Sequence, residues 1–248
     1  MNRFFVDRDQ IVDNRIEILG KDVRHIKNVL RLKPKDQIEV ICDGMTHICE
    51  IMELGSNNIP LLIVDSFEGK NEPLIDIVLY QGIAKGSKMD LIIQKATEIG
   101  ISEIYPIITH RTVVKIKDRK KEQKKVERWQ AIVEEASKQS KRDRLPMIND
   151  ITSFNEMIDI LKDQSNIIVP YEEEETFGLK EALKNIEEGK IHIIIGPEGG
   201  FEEEEVEMLK AINGKSVTLG PRILRTETAG LVVGSIVLYE LGDLGVRL

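Results

Sequence analysis

The sequence predicts an α/β protein in which a small β-barrel precedes a larger domain with a mostly parallel sheet. Three observations predict it. From residue 3 to about 67, short segments alternate apolar and polar residues with period two around a single helix, the pattern of half-buried strands in a small barrel. From residue 74 onward, apolar strands alternate with amphipathic helices, which implies βαβ units and a sheet covered on both faces. Between Ile191 and Glu240, two glycine-bearing loops each follow an apolar strand and lead into a helix, which suggests one ligand site made by both.

The first domain spans 1–70. Its strands read as 15–18, 37–42, 46–51 and 61–64, with Asp43-Gly44 as a hairpin turn and one helix over 21–30. Residues 21–35 hold six basic side chains (Lys21, Arg24, Lys27, Arg31, Lys33, Lys35) against one acid, Asp22. Such a run is a solvated helix face or a phosphate contact. Residues 66–73, with Gly69, Asn71 and Pro73 among charges, read as the linker.

The second domain spans 71–248. A strand over 74–80 leads to a helix over 87–99 with Met89, Ile92, Ile93, Ala96 and Ile99 on one face; Ser87 and Asp90 suggest a capping box and Gly100 a stop. Strands over 103–108, 166–170 and 191–195 and helices over 119–139, 155–162 and 179–188 continue the alternation, and the first of these helices turns Trp129, Ile132, Val133 and Ala136 inward. Residues 111–128 carry nine basic side chains against three acids, and 138–144 four against one, a second candidate surface for phosphates. Acids concentrate at Glu172 to Glu175 and Glu202 to Glu205, where they are expected to face away from RNA; the second group also suits a helix N-terminus.

The first loop is Gly196-Pro197-Glu198-Gly199-Gly200. The second runs from Leu219 through Gly220, Pro221, Arg222, Ile223, Leu224, Arg225, Thr226 and Glu227 into an apolar helix over 230–241. Glycine lets the backbone approach a ligand and proline stiffens the loop between. Neither loop carries a phosphate-binding fingerprint, and either alone could be a turn that caps a helix. Arg222, Arg225 and Glu227, crowded with Thr226 and Thr228 at the start of a nearly uncharged helix, are not needed for folding.

Composition narrows the function classes. The 248 residues, 41% hydrophobic and 31% charged, describe an ordinary globular chain, and 4% aromatic content argues against base-stacking platforms as the main mode of RNA contact. No apolar run is long enough to span a bilayer and the first residues lack a signal-peptide pattern, so a cytoplasmic location without membrane contact is expected. Cys42 and Cys49 read as reduced core residues, and with four scattered histidines no metal site is expected. The net charge of -8 disfavours a nucleic-acid partner as a sum, but the local field facing the phosphates decides binding.

The two loops resemble, residue for residue, the cofactor loops of the SPOUT class of RNA methyltransferases. The chain is similar to the bacterial 16S ribosomal RNA uridine N3-methyltransferase (RsmE) family in particular. Lys85-Gly86-Ser87-Lys88-Met89-Asp90 with Gln94-Lys95-Ala96-Thr97-Glu98-Ile99-Gly100 resembles the family's central motif, and Trp129 to Pro146 and His25 with Val29-Leu30-Arg31 also fit, so the resemblance covers essentially the whole chain. It departs at Lys138 and Lys141, where the family commonly has Glu and Gly, while Gln139 and Arg142 match. The resemblance implies a PUA-like RNA-binding β-barrel followed by a SPOUT domain threaded through a C-terminal trefoil knot, in a homodimer with the final helix at its interface. It further implies S-adenosylmethionine as cofactor, held by Ile195, Gly196, Pro197, Glu198, Gly199, Leu219, Gly220, Ile223 and Leu224, and no metal. The implied substrate is a uridine of 16S rRNA in the small ribosomal subunit, with Arg24, Lys27, Arg31, Lys88, Arg142 and Arg222 as the RNA contacts.

Methyl transfer from a sulfonium is an in-line displacement that needs positioning and no metal. The uridine N3 proton is too weakly acidic to leave freely at neutral pH. Arg225 is therefore the candidate for stabilising the uracil anion, and Glu227 either accepts the proton or only caps the helix and orients Arg225. The cofactor loops do not specify the acceptor atom, so another RNA base or a ribose 2′-hydroxyl is an alternative, as is a non-catalytic RNA-binding or ribosome-assembly protein that keeps the fold. The missing phosphate motifs weigh against a nucleotide-phosphate enzyme.

Overall fold

The computed structural model of the protein describes residues 1–114, 118–184, 186 and 189–245. The chain forms two compact units, one of Met1–Glu72 with Ser137–Leu145, the other of Pro73–Ala136 with Pro146–Leu248.

In the first unit, strands β1 (Arg3–Phe5), β2 (Ile11–Val12), β3 (Arg15–Leu19), β4 (Gln37–Cys42), β5 (Met45–Ile51) and β6 (Asn58–Glu68) form one curled sheet in the order β1-β4-β5-β6-β3-β2. The β1–β4 pair is parallel and the rest antiparallel. Period-two alternation sends Ile16, Ile18, Ile38, Val40, Cys49, Ile51, Ile59 and Leu61 into a single core that Val23 and Ile26 also enter. The helix expected over 21–30 is one α-turn, α1 (Lys21–Arg24), continued by a wider π-type turn over His25–Leu30 that ends where Arg31 turns left-handed at φ 54°. Strand β6 runs into the expected linker because Ser66, Phe67 and Glu68 pair with His47, Thr46 and Met45, so cross-strand bonding outweighs their polar composition.

Residues 137–145 join this unit through a buried polar cluster. Arg3 donates from Nη1 to the Arg142 carbonyl at 3.0 Å and from Nη2 to Asp143 Oδ1 at 3.2 Å. Asp143 also accepts from Thr46 Oγ1 at 3.4 Å and from the Asn71 N–H at 2.8 Å. Every member is paired, as a buried charge cluster must be to persist.

In the second unit, β7 (Ile77–Gly82), β8 (Glu103–Ile108), β9 (Met147–Ile148), β10 (Thr152–Ser153), β11 (Ile167–Pro170), β12 (Ile191–Ile195) and β13 (Lys215–Val217) form a sheet in the order β10-β8-β7-β12-β11-β13, with β9 beside β8 and every pair parallel. The helices are α2 (Lys88–Ile99), α3 (Arg119–Ser140), α4 (Phe154–Leu161), α5 (Leu179–Leu183), α6 (Glu203–Ala211) and α7 (Thr226–Leu241). Ile77, Leu79, Ile191, Ile193 and Ile195 pack on the face holding Ile92 and Ile93 of α2, Trp129 and Val133 of α3, and Val233, Val237 and Leu238 of α7. Val78, Tyr80 and Ile194 pack on the opposite face against Met157 and Leu161 of α4 and Val206 and Leu209 of α6. Both faces are apolar, which is why β7 and β12 read as unbroken apolar runs.

Several boundaries differ from expectation. Strand β7 starts at Ile77, and Leu74 is exposed. The capping box at Ser87 does not form; Ser87 makes no side-chain cap bond, and Asp90 instead takes both terminal nitrogens of Arg128 at 2.7 and 2.9 Å. Of the helix expected over 179–188, residues 185, 187 and 188 lie outside the described residues, as do Lys115 and Lys117 of the basic run. Helix α7 starts four residues before position 230, which puts Thr226 and Glu227 on its first turn.

Candidate active site

The first loop leaves the carboxyl end of β12, the strand flanked by β7 and β11, and the second follows β13 and enters α7. Parallel strands bring both loops to one edge of the sheet, where open α/β sheets bind ligands. The first loop closes on itself through the Gly200 N–H to the Pro197 carbonyl, 3.0 Å, with Gly200 at φ 69°, a conformation that favours glycine. Gly82 at the end of β7 lets this loop pass: a Cβ there would stand 2.3 Å from the Pro197 nitrogen.

A buried polar chain ties the loops together. Gln81 Nε2 donates to Thr226 Oγ1 at 2.9 Å, and Thr226 Oγ1 donates to the Gly196 carbonyl at 2.6 Å. The sequence offered no signal for Gln81, which looks like the polar end of an apolar strand. Arg111, grouped above with the basic run, braces the first loop from outside: it donates to the Gly199 carbonyl at 2.9 Å and to both oxygens of Glu202 at 2.9 and 2.8 Å. Its charge is paired with Glu202.

Together the loops wall a cavity of about 930 Å³, within the size range of small-molecule sites. Of the nine residues expected to hold cofactor, Ile195, Gly196, Pro197, Glu198, Leu219, Gly220, Ile223 and Leu224 line it; Gly199 does not, and Gly200 takes its place. Arg222, Arg225 and Glu227 line it as well. Ile223 is 86% exposed, an apolar side chain presented to an open site. Glu172, Glu174 and Glu175 also line the cavity, a place for which the sequence carried no signal. Glu174 is held by the Thr176 and Phe177 N–H groups and the Thr176 hydroxyl, which keep its carboxyl below the usual range. Burial and a bond to Glu173 push the neighbouring Tyr171 phenol up to about 12, so it is neutral at physiological pH.

Arg225 and Glu227 occupy different settings. Arg225 is the N-cap of α7, its carbonyl accepting from the Thr228 and Ala229 N–H groups, while its side chain is 79% exposed with Nη1 3.9 Å from Glu227 Oε1. Glu227 is mostly buried, and Lys88 Nζ lies 3.4 Å from its Oε2, within ion-pair range but without hydrogen-bond geometry. The same ammonium is 3.3 Å from Glu198 Oε1, which also accepts the Lys85 N–H at 3.0 Å. Burial alone would raise the Glu198 carboxyl, but these two partners bring it below the usual range.

The expected RNA contacts divide. Arg24 and Arg31 are exposed on the first unit, whereas Lys27 donates to the Gly55 carbonyl at 2.9 Å. Arg142 requires correction: it is 3% exposed and its guanidinium clasps Glu72, with Nη2 at 2.6 Å and Nε at 2.9 Å, so it anchors the first unit's polar cluster and presents no charge to a phosphate. Lys88 is likewise engaged, between two carboxylates. No cluster of three or more His, Cys, Asp or Glu suited to a metal ion occurs among the described residues, and no described helix is long and apolar enough to cross a membrane.

A family model described as an RNA methyltransferase domain matches residues 70–238, and one described as an RNA methyltransferase PUA domain matches 18–63, which gives the class. Ribosomal RNA small subunit methyltransferase E of Bacillus subtilis is 37% identical over 250 residues, covering 97% of this chain and 97% of that protein. The protein of the same name from Aquifex aeolicus is 35% identical over 221 residues, covering 88% and 91%. A crystal structure of ribosomal RNA small subunit methyltransferase E from Neisseria gonorrhoeae bound to S-adenosyl methionine matches with a TM-score of 0.84 and 30% identity, covering 98% of this chain and 99% of that one. The chain belongs to the ribosomal RNA small subunit methyltransferase E family.

Proposed function

We propose that the protein transfers the methyl group of S-adenosylmethionine to N3 of a uridine in 16S rRNA of the small ribosomal subunit. The observation that carries this is the single cavity formed by two hydrogen-bonded loops, with Arg225 and Glu227 at the entry of α7. The residues present fit the cofactor. Ile195, Pro197 and Ile223 offer apolar walls for adenine, and Gly196, Glu198, Leu219, Gly220 and Leu224 offer backbone groups. Glu172 and Glu175 face the cavity with charge that suits a sulfonium and an ammonium. When bound, S-adenosylmethionine supplies an electrophilic methyl group. Glu227 takes the N3 proton, and the Arg225 guanidinium donates to the carbonyl oxygens flanking N3, stabilising the anion as it forms.

Arg24 and Arg31, and on the second unit the exposed Lys120, Lys121 and Lys124 of α3, supply cations for RNA phosphates. A homodimer through the outer face of α7 fits its exposed Tyr239 and Ile236, opposite the buried Val233, Val237 and Leu238. A ribosomal substrate fits a cytoplasmic location. The test is calorimetric titration with S-adenosylmethionine together with transfer of labelled methyl to unmodified small subunits and to naked 16S RNA. Saturable binding with label in RNA is expected; binding without transfer to either substrate would favour a non-catalytic RNA-binding role.

A further inference from the structure

Lys88 stands between two carboxylates that belong to different parts of the cavity wall. Its ammonium is 3.3 Å from Glu198 Oε1 in the first loop and 3.4 Å from Glu227 Oε2 on the first turn of α7. Glu227 Oε2 is buried and has no hydrogen-bond partner among the described residues, and its sister oxygen has Arg225 at 3.9 Å. Lys88 is therefore the cation nearest the buried oxygen. Its base is firm, since it opens α2, where Met89, Ile92 and Ile93 are fully buried. A phosphate would have to displace two carboxylates to reach this ammonium, of which only 34% of the side chain is exposed.

We propose that Lys88 is a positioning residue and not an RNA contact: it couples the cofactor loop to Glu227, so that the loop that holds S-adenosylmethionine also aims the proton acceptor. This rests on the reading of Glu227 given above. The Thr226 bond to the Gly196 carbonyl ties the same turn of α7 to the same loop on its other side. The Glu198–Lys88–Glu227 link sets the side-chain direction that the backbone tie leaves open.

The test uses Lys88→Met, Lys88→Arg and Glu227→Gln in the full chain, with kcat and KM on small subunits, cofactor Kd, and the salt dependence of subunit binding. The link predicts that Lys88→Met lowers kcat by about tenfold or more while subunit KM and the salt slope stay unchanged. Lys88→Arg restores most of the rate, and Lys88→Met adds less than about threefold when Glu227 is already Gln, because coupled residues are non-additive. Full kcat with a raised KM and a salt slope smaller by about one would make Lys88 a phosphate contact and overturn the proposal. So would independent, multiplicative losses from the two substitutions. Wild-type turnover in Glu227→Gln would remove Glu227 from the chemistry, and the link with it; lost turnover in Glu227→Gln beside wild-type turnover in Lys88→Met would remove the link alone. Should Lys88→Met fail to fold, Lys88→Gln replaces it.

Discussion

Thr226 joins the two cavity loops with one hydroxyl, accepting from Gln81 and donating to the Gly196 carbonyl. Thr226→Val keeps the shape and removes both bonds, which leaves buried polar groups unpaired at a cost of about 1–3 kcal/mol. A lower thermal midpoint and weaker S-adenosylmethionine binding are expected together; an unchanged cofactor Kd would mean that the tie does not shape the site. Arg225 is the opposite case, an exposed side chain with little structural work to do. Arg225→Ala is expected to keep cofactor affinity and lose about 100-fold or more in kcat, measured under single turnover on small subunits. His192 on β12 gives a pH prediction. Burial, with Lys190 nearby, lowers its pKa from 6.5 to about 4. The unfolded chain therefore takes up this proton from about pH 6.5 downward, whereas the folded chain does so only near 4. This group's stability contribution is present above about pH 6.5 and is lost as pH falls toward 4, about 3 kcal/mol in all. Chemical unfolding of His192→Gln over that range should show a shallower acid loss than wild type.

The end of β7 and the first loop meet at Gly82, where a Cβ would stand 2.3 Å from the Pro197 nitrogen. Gly82→Ala must push the loop outward, so cofactor affinity should fall by tenfold or more, roughly 1.4 kcal/mol, read by calorimetry; an unchanged Kd would show that the loop yields without consequence. In the first unit, Arg142→Ala leaves Glu72 without its guanidinium partner, and Asp143→Ala removes one of the two carboxylates, the other being Glu39, that hold the buried Arg3. Arg142→Ala should destabilise by about 3–5 kcal/mol and Asp143→Ala by less, with the salt slope of RNA binding unchanged in both. The elements themselves were largely legible, because period-two alternation marked β3 to β5 and two-sided burial marked β7 and β12. The start of α7 was legible only to within a few residues: the apolar run begins at 230, and the Arg225 carbonyl capping the Thr228 and Ala229 N–H groups fixes the first turn at Thr226. Strand β1 was missed because Arg3 and the short run after it gain strand character only from pairing with Glu39, Val40 and Ile41.

Across the chain, the two loops that share the cavity could be read in advance because their glycines and prolines carry backbone geometry in their identity. Side-chain partnerships could not. A sequence shows charge and not its partner: Glu72, which clasps the buried Arg142, and Glu198 and Glu227, which flank Lys88, are distant from them in the chain. The acids of the 172–175 segment were expected only to face away from RNA, and nothing in their order along the chain marks Glu172, Glu174 and Glu175 as cavity wall. A charge excess along the chain says little until the fold decides which charges face outward. The central claim is methylation at uridine N3, and its most direct test is to digest small-subunit RNA after transfer of labelled methyl and identify the labelled nucleoside. The account predicts 3-methyluridine as the labelled product, absent with Arg225→Ala. Label in a ribose-methylated nucleoside or in another base would contradict the assignment of N3 as the acceptor.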